Sequence, residues 1–227
     1  MAVDLIVPLK PPVAGKSRLR GALGHAANAE RHAALVLALA SDTLLAATEA
    51  AGVRRVLVVG SDPKPLAELR ALGVEVVGED EPAAGGEGNV RGNPADTGLN
   101  AALRLGERLL RADDPGGIVG ALQADLPALR ASELSAAIEE ADGRRAFTAD
   151  RHGTGTTLLL SSNGGALDPR FGAGSAASHE RSGATPLGLA APSLRGDVDT
   201  AADLEHARLI GLGKRTTAVL EAAYLSR

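Results

Sequence analysis

Short apolar runs alternate along this chain with longer stretches of helical periodicity, the pattern of a mostly parallel sheet with helices on both faces. Residues 4–9 read as the first strand. Residues 28–49 repeat apolar side chains at Ala33, Val36, Leu37, Ala40, Leu44 and Ala47, and Gly52 follows as a stop signal, so a long helix is expected there. Residues 55–59 open on Arg55 and continue as a run of valine and leucine, the composition of a strand covered on both faces. A helix over 65–72 and a strand over 74–77 come next, and the glycine-rich, proline-bearing stretch 79–94 reads as a loop. Beyond it the pattern predicts a helix at 97–110, a strand at 118–122, a helix at 131–141 and strands at 145–148 and 156–160. A short helix near Ser175, a strand at 186–189 and helices at 200–209 and 214–224 complete the series. No internal repeat or dividing linker interrupts it, so residues 1–227 are expected to form one α/β domain. In open sheets of this kind a ligand sits beyond the carboxyl ends of the strands.

Composition narrows the chemistry. The 227 residues contain no cysteine, which excludes disulfides, thiolate metal sites and a cysteine nucleophile. The apolar start lacks a preceding basic region and reads as a core strand, not a signal peptide. No apolar run is expected to reach the roughly 18 residues of a membrane span, so a cytoplasmic protein without membrane contact is expected. The net charge is −4, but residues 1–20 carry +3 and the remainder −7. A local basic cluster in an acidic protein suits a small polyanion better than a nucleic acid, and aromatics at 1% provide no stacking platform for bases.

Four segments fall where the ligand should lie. The loop from Lys10 to Leu19 ends in Gly15-Lys16-Ser17, but a phosphate-binding P-loop requires glycine where Lys10 stands. What remains is a loop whose cations Lys10, Lys16 and Arg18 can hold phosphates, or a solvated basic turn. Asp125 ends a strand in Gln123-Ala124-Asp125-Leu126-Pro127 and is either a magnesium ligand beside phosphates or a turn cap. In Gly196-Asp197-Val198-Asp199-Thr200, Asp199 or Thr200 suits the N-cap of the next helix, while Asp197 has no capping role in this reading and is a candidate metal ligand. The stretch from Asp168 to His179 has glycines that let backbone approach a ligand, with Ser175 opening a short helix that could seat an anion or simply cap a turn. The threonines of Gly153-Thr154-Gly155-Thr156-Thr157 are strand formers first and ligand contacts second. His25, His32 and His206 read as surface helix residues, and His152 and His179 as neighbours of the site.

In this order the segments resemble the guanylyltransferases of deazaflavin coenzyme F-420 biosynthesis, which act on phosphoenolpyruvate or 2-phospho-L-lactate. The resemblance spans essentially the whole chain. It rests on Val7 to Lys10 and Lys16 to Leu19, Gly98-Leu99-Asn100 to Leu103, Ala124 to Pro127, Gly153 to Thr157, Arg170 to Ser175 with His179, and Asp197 to Thr200. It implies a three-layer α/β/α, Rossmann-like nucleotidyltransferase domain with a mixed, mainly parallel sheet. It also implies GTP along the first-strand loop and the 79–103 region, with magnesium on Asp125 and Asp197. Since Gln123 stands where a second carboxylate is often found, Asp199 joins them as a candidate. Thr157, Gly172 and Ser175 would hold the acceptor, with Asn100 a further substrate contact. Lys16 would touch phosphate, supported by Lys10 and Arg18. The alanine-, arginine- and leucine-rich chain looks actinobacterial, and on that analogy phosphoenolpyruvate is the expected acceptor and 2-phospho-L-lactate the alternative. A monomer or small homo-oligomer is expected. Competing readings are a nucleotidyltransferase for another base or acceptor, and a noncatalytic nucleotide-binding regulatory domain.

Overall fold

A computed structural model describes residues 2–10, 19, 29–79 and 98–225. The elements follow the expected order: β1 (Val3–Leu9), α1 (Ala29–Glu49), β2 (Val53–Gly60), α2 (Pro63–Arg70), β3 (Glu75–Gly78), α3 (Leu99–Asp113) and β4 (Ile118–Leu122). They continue with α4 (Ala131–Ala141), β5 (Ala146–Ala149), β6 (Thr156–Leu160), α5 (Ser175–Arg181), β7 (Thr185–Pro186), α6 (Ala201–Ile210) and α7 (Lys214–Leu225). The seven strands form one sheet in the order β3-β2-β1-β4-β6-β5-β7. Strand β6 runs antiparallel to both β4 and β5, and the other pairs are parallel, so the sheet is mixed and mainly parallel as the sequence implied.

Alternation along each strand divides the core into two layers. Val3, Leu5, Val7 and Leu9 of β1 join Val56, Val58, Leu158 and Leu160 under α1, α2 and α4. Ile6 joins Leu57, Val59, Val119 and Leu159 under α3 and α5. Strand β1 is buried at every position, which is why residues 5–9 read as a continuous apolar run, while the buried Asp4 carboxylate is paired with Arg54. Gly120 permits close contact at the centre of the sheet, for a Cβ there would lie 2.7 Å from Leu5 Cδ2 and 2.8 Å from Leu160 Cδ2.

Helix α1 is long and apolar enough, by length and composition, to cross a membrane, contrary to the expectation that no segment would be. In the fold it is a core helix, with Ala40, Leu44 and Ala47 against the sheet and Leu35 and Leu39 against α6 and α7. His32 shares the helical face of Leu35 and Leu39 and is buried, which corrects its reading as a surface residue. Strand β7 is shorter than expected. The backbone N–H groups of Gly188 and Leu189 donate to the Glu140 carboxylate at 2.7 and 3.1 Å, drawing the chain out of the ladder.

Strands β5 and β6 slip register between Thr148 and Ala149. Ala149 pairs with Thr156 and Thr148 with Leu158, leaving Thr157 as an extra residue. Such a bulge breaks the period-two alternation and re-aims the side chain at its edge. Here it turns Thr156 toward α5.

Candidate active site

The sheet reverses its winding between β1 and β4, and a cavity of about 700 Å³ opens at the carboxyl ends of those strands. Its lining includes Leu9 and Lys10 after β1, Gln123, Ala124 and Asp125 after β4, and Asp197 and Asp199. Asp150, Thr154 and Gly155 line it ahead of β6, and Phe171 to Ser175 line it ahead of α5. Val36, Leu39 and Ala40 of α1 and Leu99 of α3 supply apolar wall.

Two segments far apart in sequence bring the carboxylates together. The Val198 backbone N–H donates to the Asp125 carbonyl at 3.0 Å, so the turn carrying Asp197 and Asp199 is fastened to the strand end carrying Asp125. From behind, the Thr43 hydroxyl of α1 accepts from Leu126 N–H at 3.0 Å and lies 3.1 Å from the Ala124 carbonyl. Asp125 is thereby bracketed on both sides by contacts to one fully buried side chain. The acidic turn has its own brace. Thr200 caps α6 in a reciprocal capping box with Asp203, and the Asp203 carboxylate also accepts from Asp199 N–H and Arg151. Burial alone would push the Asp203 carboxyl up, but these donors hold it below its ordinary range.

On the opposite wall the Asp150 carboxylate accepts from Thr154 N–H and Gly155 N–H, both at 2.9 Å, and folds the turn that leads into β6. Gly172 (φ 138°) and Gly174 (φ 69°) take backbone conformations that side chains resist, and a Cβ at either would meet only open space. The amide of Asn100 is committed to this loop. Its Nδ2 donates to the Phe171 carbonyl at 3.0 Å and its Oδ1 accepts from Phe171 N–H at 2.9 Å.

Of the residues expected from sequence, Lys10, Asp125, Gly172, Ser175, Asp197 and Asp199 meet in the cavity. Thr157 does not line it: the side chain is fully buried and donates to the Thr148 carbonyl at 3.4 Å. Asn100 likewise acts through Phe171, and its neighbour Leu99 is the residue facing the cavity. Lys16 and Arg18 lie outside the described residues, as does most of the loop expected at 79–94. Asp150 and Thr43 were not singled out from sequence. Asp150 resembles any turn aspartate there, and Thr43 any threonine within a helix.

The described residues lining the cavity carry four carboxylates and one cation, Lys10. Carboxylates without thiolates or imidazoles form a hard oxygen set suited to magnesium, which typically takes one or two carboxylates and completes its shell with water and phosphate oxygens. Among the described residues no group of three or more histidine, aspartate or glutamate side chains is placed to hold a metal alone, so part of any shell would come from a ligand.

Over 220 residues the chain is 49% identical to a phosphoenolpyruvate guanylyltransferase of Streptomyces scabiei (strain 87.22), covering 96% of this chain and 95% of the relative. The chain belongs to the phosphoenolpyruvate guanylyltransferase family. A second member, from Thermomonospora curvata, is 44% identical over 218 residues, covering 95% of this chain and 87% of its own length. No family model matches the chain. The fold of this guanylyltransferase family member is that of the nucleotidyltransferases. A protein described as a nucleotide-diphospho-sugar transferase from Desulfovibrio desulfuricans G20 superposes with a TM-score of 0.64 at 17% identity, covering 99% of this chain and 96% of its own. A CMP:2-keto-3-deoxy-manno-octonic acid synthetase complexed with CTP superposes with a TM-score of 0.54 at 14% identity, covering 92% and 98%.

Proposed function

We propose that this protein transfers GMP from GTP to the phosphate of phosphoenolpyruvate, giving enolpyruvoyl-2-diphospho-5'-guanosine and pyrophosphate in deazaflavin coenzyme F-420 biosynthesis. The names of the relatives favour phosphoenolpyruvate and lend no support to 2-phospho-L-lactate. The observation that carries the site reading is the Val198–Asp125 backbone bond, which fastens two acidic segments at one cavity beyond the strand ends.

A phosphate oxygen of the acceptor attacks the α-phosphorus of GTP; the new P–O bond forms as the bond to the β-phosphate oxygen breaks. A phosphate monoester has its second pKa near about 6, so its oxygen is largely ionised at neutral pH and no strong general base is needed. The burden falls on alignment and neutralisation of charge. Asp125 and Asp197, with Asp199 beside them, would hold a magnesium ion that supplies that neutralisation when bound. Lys10, which lines the cavity, would bind the phosphates, a role the sequence motif also assigns to Lys16 and Arg18. Gly172 and Ser175 hold the acceptor, and Asn100 fixes their loop through Phe171.

Asp125→Asn keeps the size and burial of the side chain while removing its charge. Pyrophosphate release should fall to background while the far-ultraviolet circular dichroism stays that of the wild type. Wild-type turnover in this variant would sink the metal-site assignment.

A further inference from the structure

His179 lies behind the cavity wall and makes no contact with the cavity itself. It is fully buried, with its ring centroid 5.0 Å from Phe171 and 6.0 Å from Phe147. Such a residue is ordinarily read as core. Its two nitrogens say more. Nε2 lies 2.9 Å from the Arg170 backbone nitrogen, and Nδ1 lies 2.9 Å from Thr156 Oγ1. A backbone N–H can only donate, so Nε2 must be the bare acceptor and the neutral ring carries its one proton on Nδ1. That proton is donated to Thr156.

The consequence runs on to the cavity. Thr156 Oγ1 and Ser175 Oγ are 3.2 Å apart, and by position alone either hydroxyl could donate to the other. With one Thr156 lone pair filled by His179, Oγ1 keeps a second to which Ser175 could donate, but the buried Thr156 proton would then have no acceptor among the described residues. Satisfying it directs that proton to Ser175. The Ser175 proton is then left to point into the cavity that Ser175 lines. The opposite polarity would present a serine lone pair to an anionic acceptor. We propose that His179 is a positioning residue which, through Thr156, fixes the Ser175 hydroxyl as a hydrogen-bond donor to the phosphate or carboxylate of the acceptor. The polarity of the chain is set at its far end by the Arg170 amide.

Burial, and next the positive charge of Arg145, push the His179 imidazole down to about 4, so the ring is neutral at the pH where the chemistry runs. An imidazolium could not accept from Arg170. The register slip at Thr157 is part of the same device, since it brings Thr156 to the α5 side of the sheet.

The inference rests on the proposed acceptor site, and two readouts separate its failure from failure of that reading. Nitrogen-15 NMR of the histidine-labelled protein reports the tautomer without any substrate. The expected result is a neutral ring protonated at Nδ1 at pH 7; a ring protonated at Nε2 or at both nitrogens overturns the proposal. The kinetic arm uses Thr156→Val, which keeps the shape and removes the relay, and Thr156→Ser, which keeps the hydroxyl. Valine should raise KM for phosphoenolpyruvate about tenfold with KM for GTP unchanged, and serine should restore it to within about twofold. Adding Thr156→Val to Ser175→Ala should cost nothing further, because both remove the same donor. Equal changes in both KM values, or additivity, would mean that Thr156 and His179 serve only the core. If the wild type releases no pyrophosphate with phosphoenolpyruvate, the function is wrong, and the tautomer alone judges the relay.

Discussion

Thr43→Val removes one oxygen from the interior and leaves the shape of the side chain. In the native protein that oxygen accepts from the Leu126 N–H at 3.0 Å and lies 3.1 Å from the Ala124 carbonyl and 2.9 Å from the Leu39 carbonyl of its own helix. The carbonyl of Leu39 keeps its helical role, so the main loss is a partner for a fully buried backbone N–H. An orphaned buried donor costs about 1–3 kcal/mol, and valine leaves no cavity to add to this. A central figure of about 2 kcal/mol corresponds to a melting temperature lower by roughly 4–8 °C in a chain of this size. The same contacts bracket Asp125, and if Asp125 holds the proposed magnesium, loss of a supporting partner behind it should cost about 10–100-fold in activity or metal affinity. Urea denaturation gives the first quantity and pyrophosphate release over a magnesium titration the second. Thr43→Ser should recover most of both. A valine variant within about 0.5 kcal/mol of wild type, with unchanged magnesium dependence, would refute the argument that α1 holds the acidic strand end in place.

Other substitutions separate stability from activity. Asp42 on α1 accepts from Arg215 N–H at 3.1 Å and Thr216 N–H at 2.8 Å, capping α7 from a neighbouring helix; Asp42→Ala should cost about 1–2 kcal/mol in denaturation with turnover unchanged. Gly155→Ala would place a Cβ 2.5 Å from Asp150 Oδ2, so it should open the turn ahead of β6 and raise KM for the acceptor more than KM for GTP. His179 is depressed from 6.5 to about 4 in the folded protein, so the unfolded chain binds the extra proton between those values. Stability present above pH 6.5 is therefore lost as pH falls, by up to about 3 kcal/mol at pH 4. His179→Gln should flatten that slope in denaturation midpoints measured between pH 7 and 5.

Much of this fold is legible in the sequence because its central strands are buried on both faces and punctuated sharply. The bounds 118–122, 131–141 and 156–160 coincide with β4, α4 and β6. What escapes is set by partners distant in the chain. Local periodicity extends β7 to 189, but Glu140 claims the N–H groups of Gly188 and Leu189. A period-two reading cannot choose between Thr156 and Thr157, because the extra residue in β6 appears only when β5 pairs with it. Asp125, Asp197 and Asp199 are visible as acids at element ends, whereas Thr43 becomes visible only through a contact 83 residues along the chain. Asn100 shows the converse: the residue is found by motif, but its amide proves to be engaged with the Phe171 backbone. His179 is the plainest case, a residue whose role depends on which nitrogen carries a proton.

The most direct test of the account is pyrophosphate release by the purified protein with magnesium, across GTP, CTP, ATP and UTP and with phosphoenolpyruvate, 2-phospho-L-lactate, 3-phosphoglycerate or no acceptor. The account predicts release with GTP and phosphoenolpyruvate together, lost in Asp125→Asn. Binding of GTP without release under any acceptor would contradict it and make the cavity a regulatory nucleotide site.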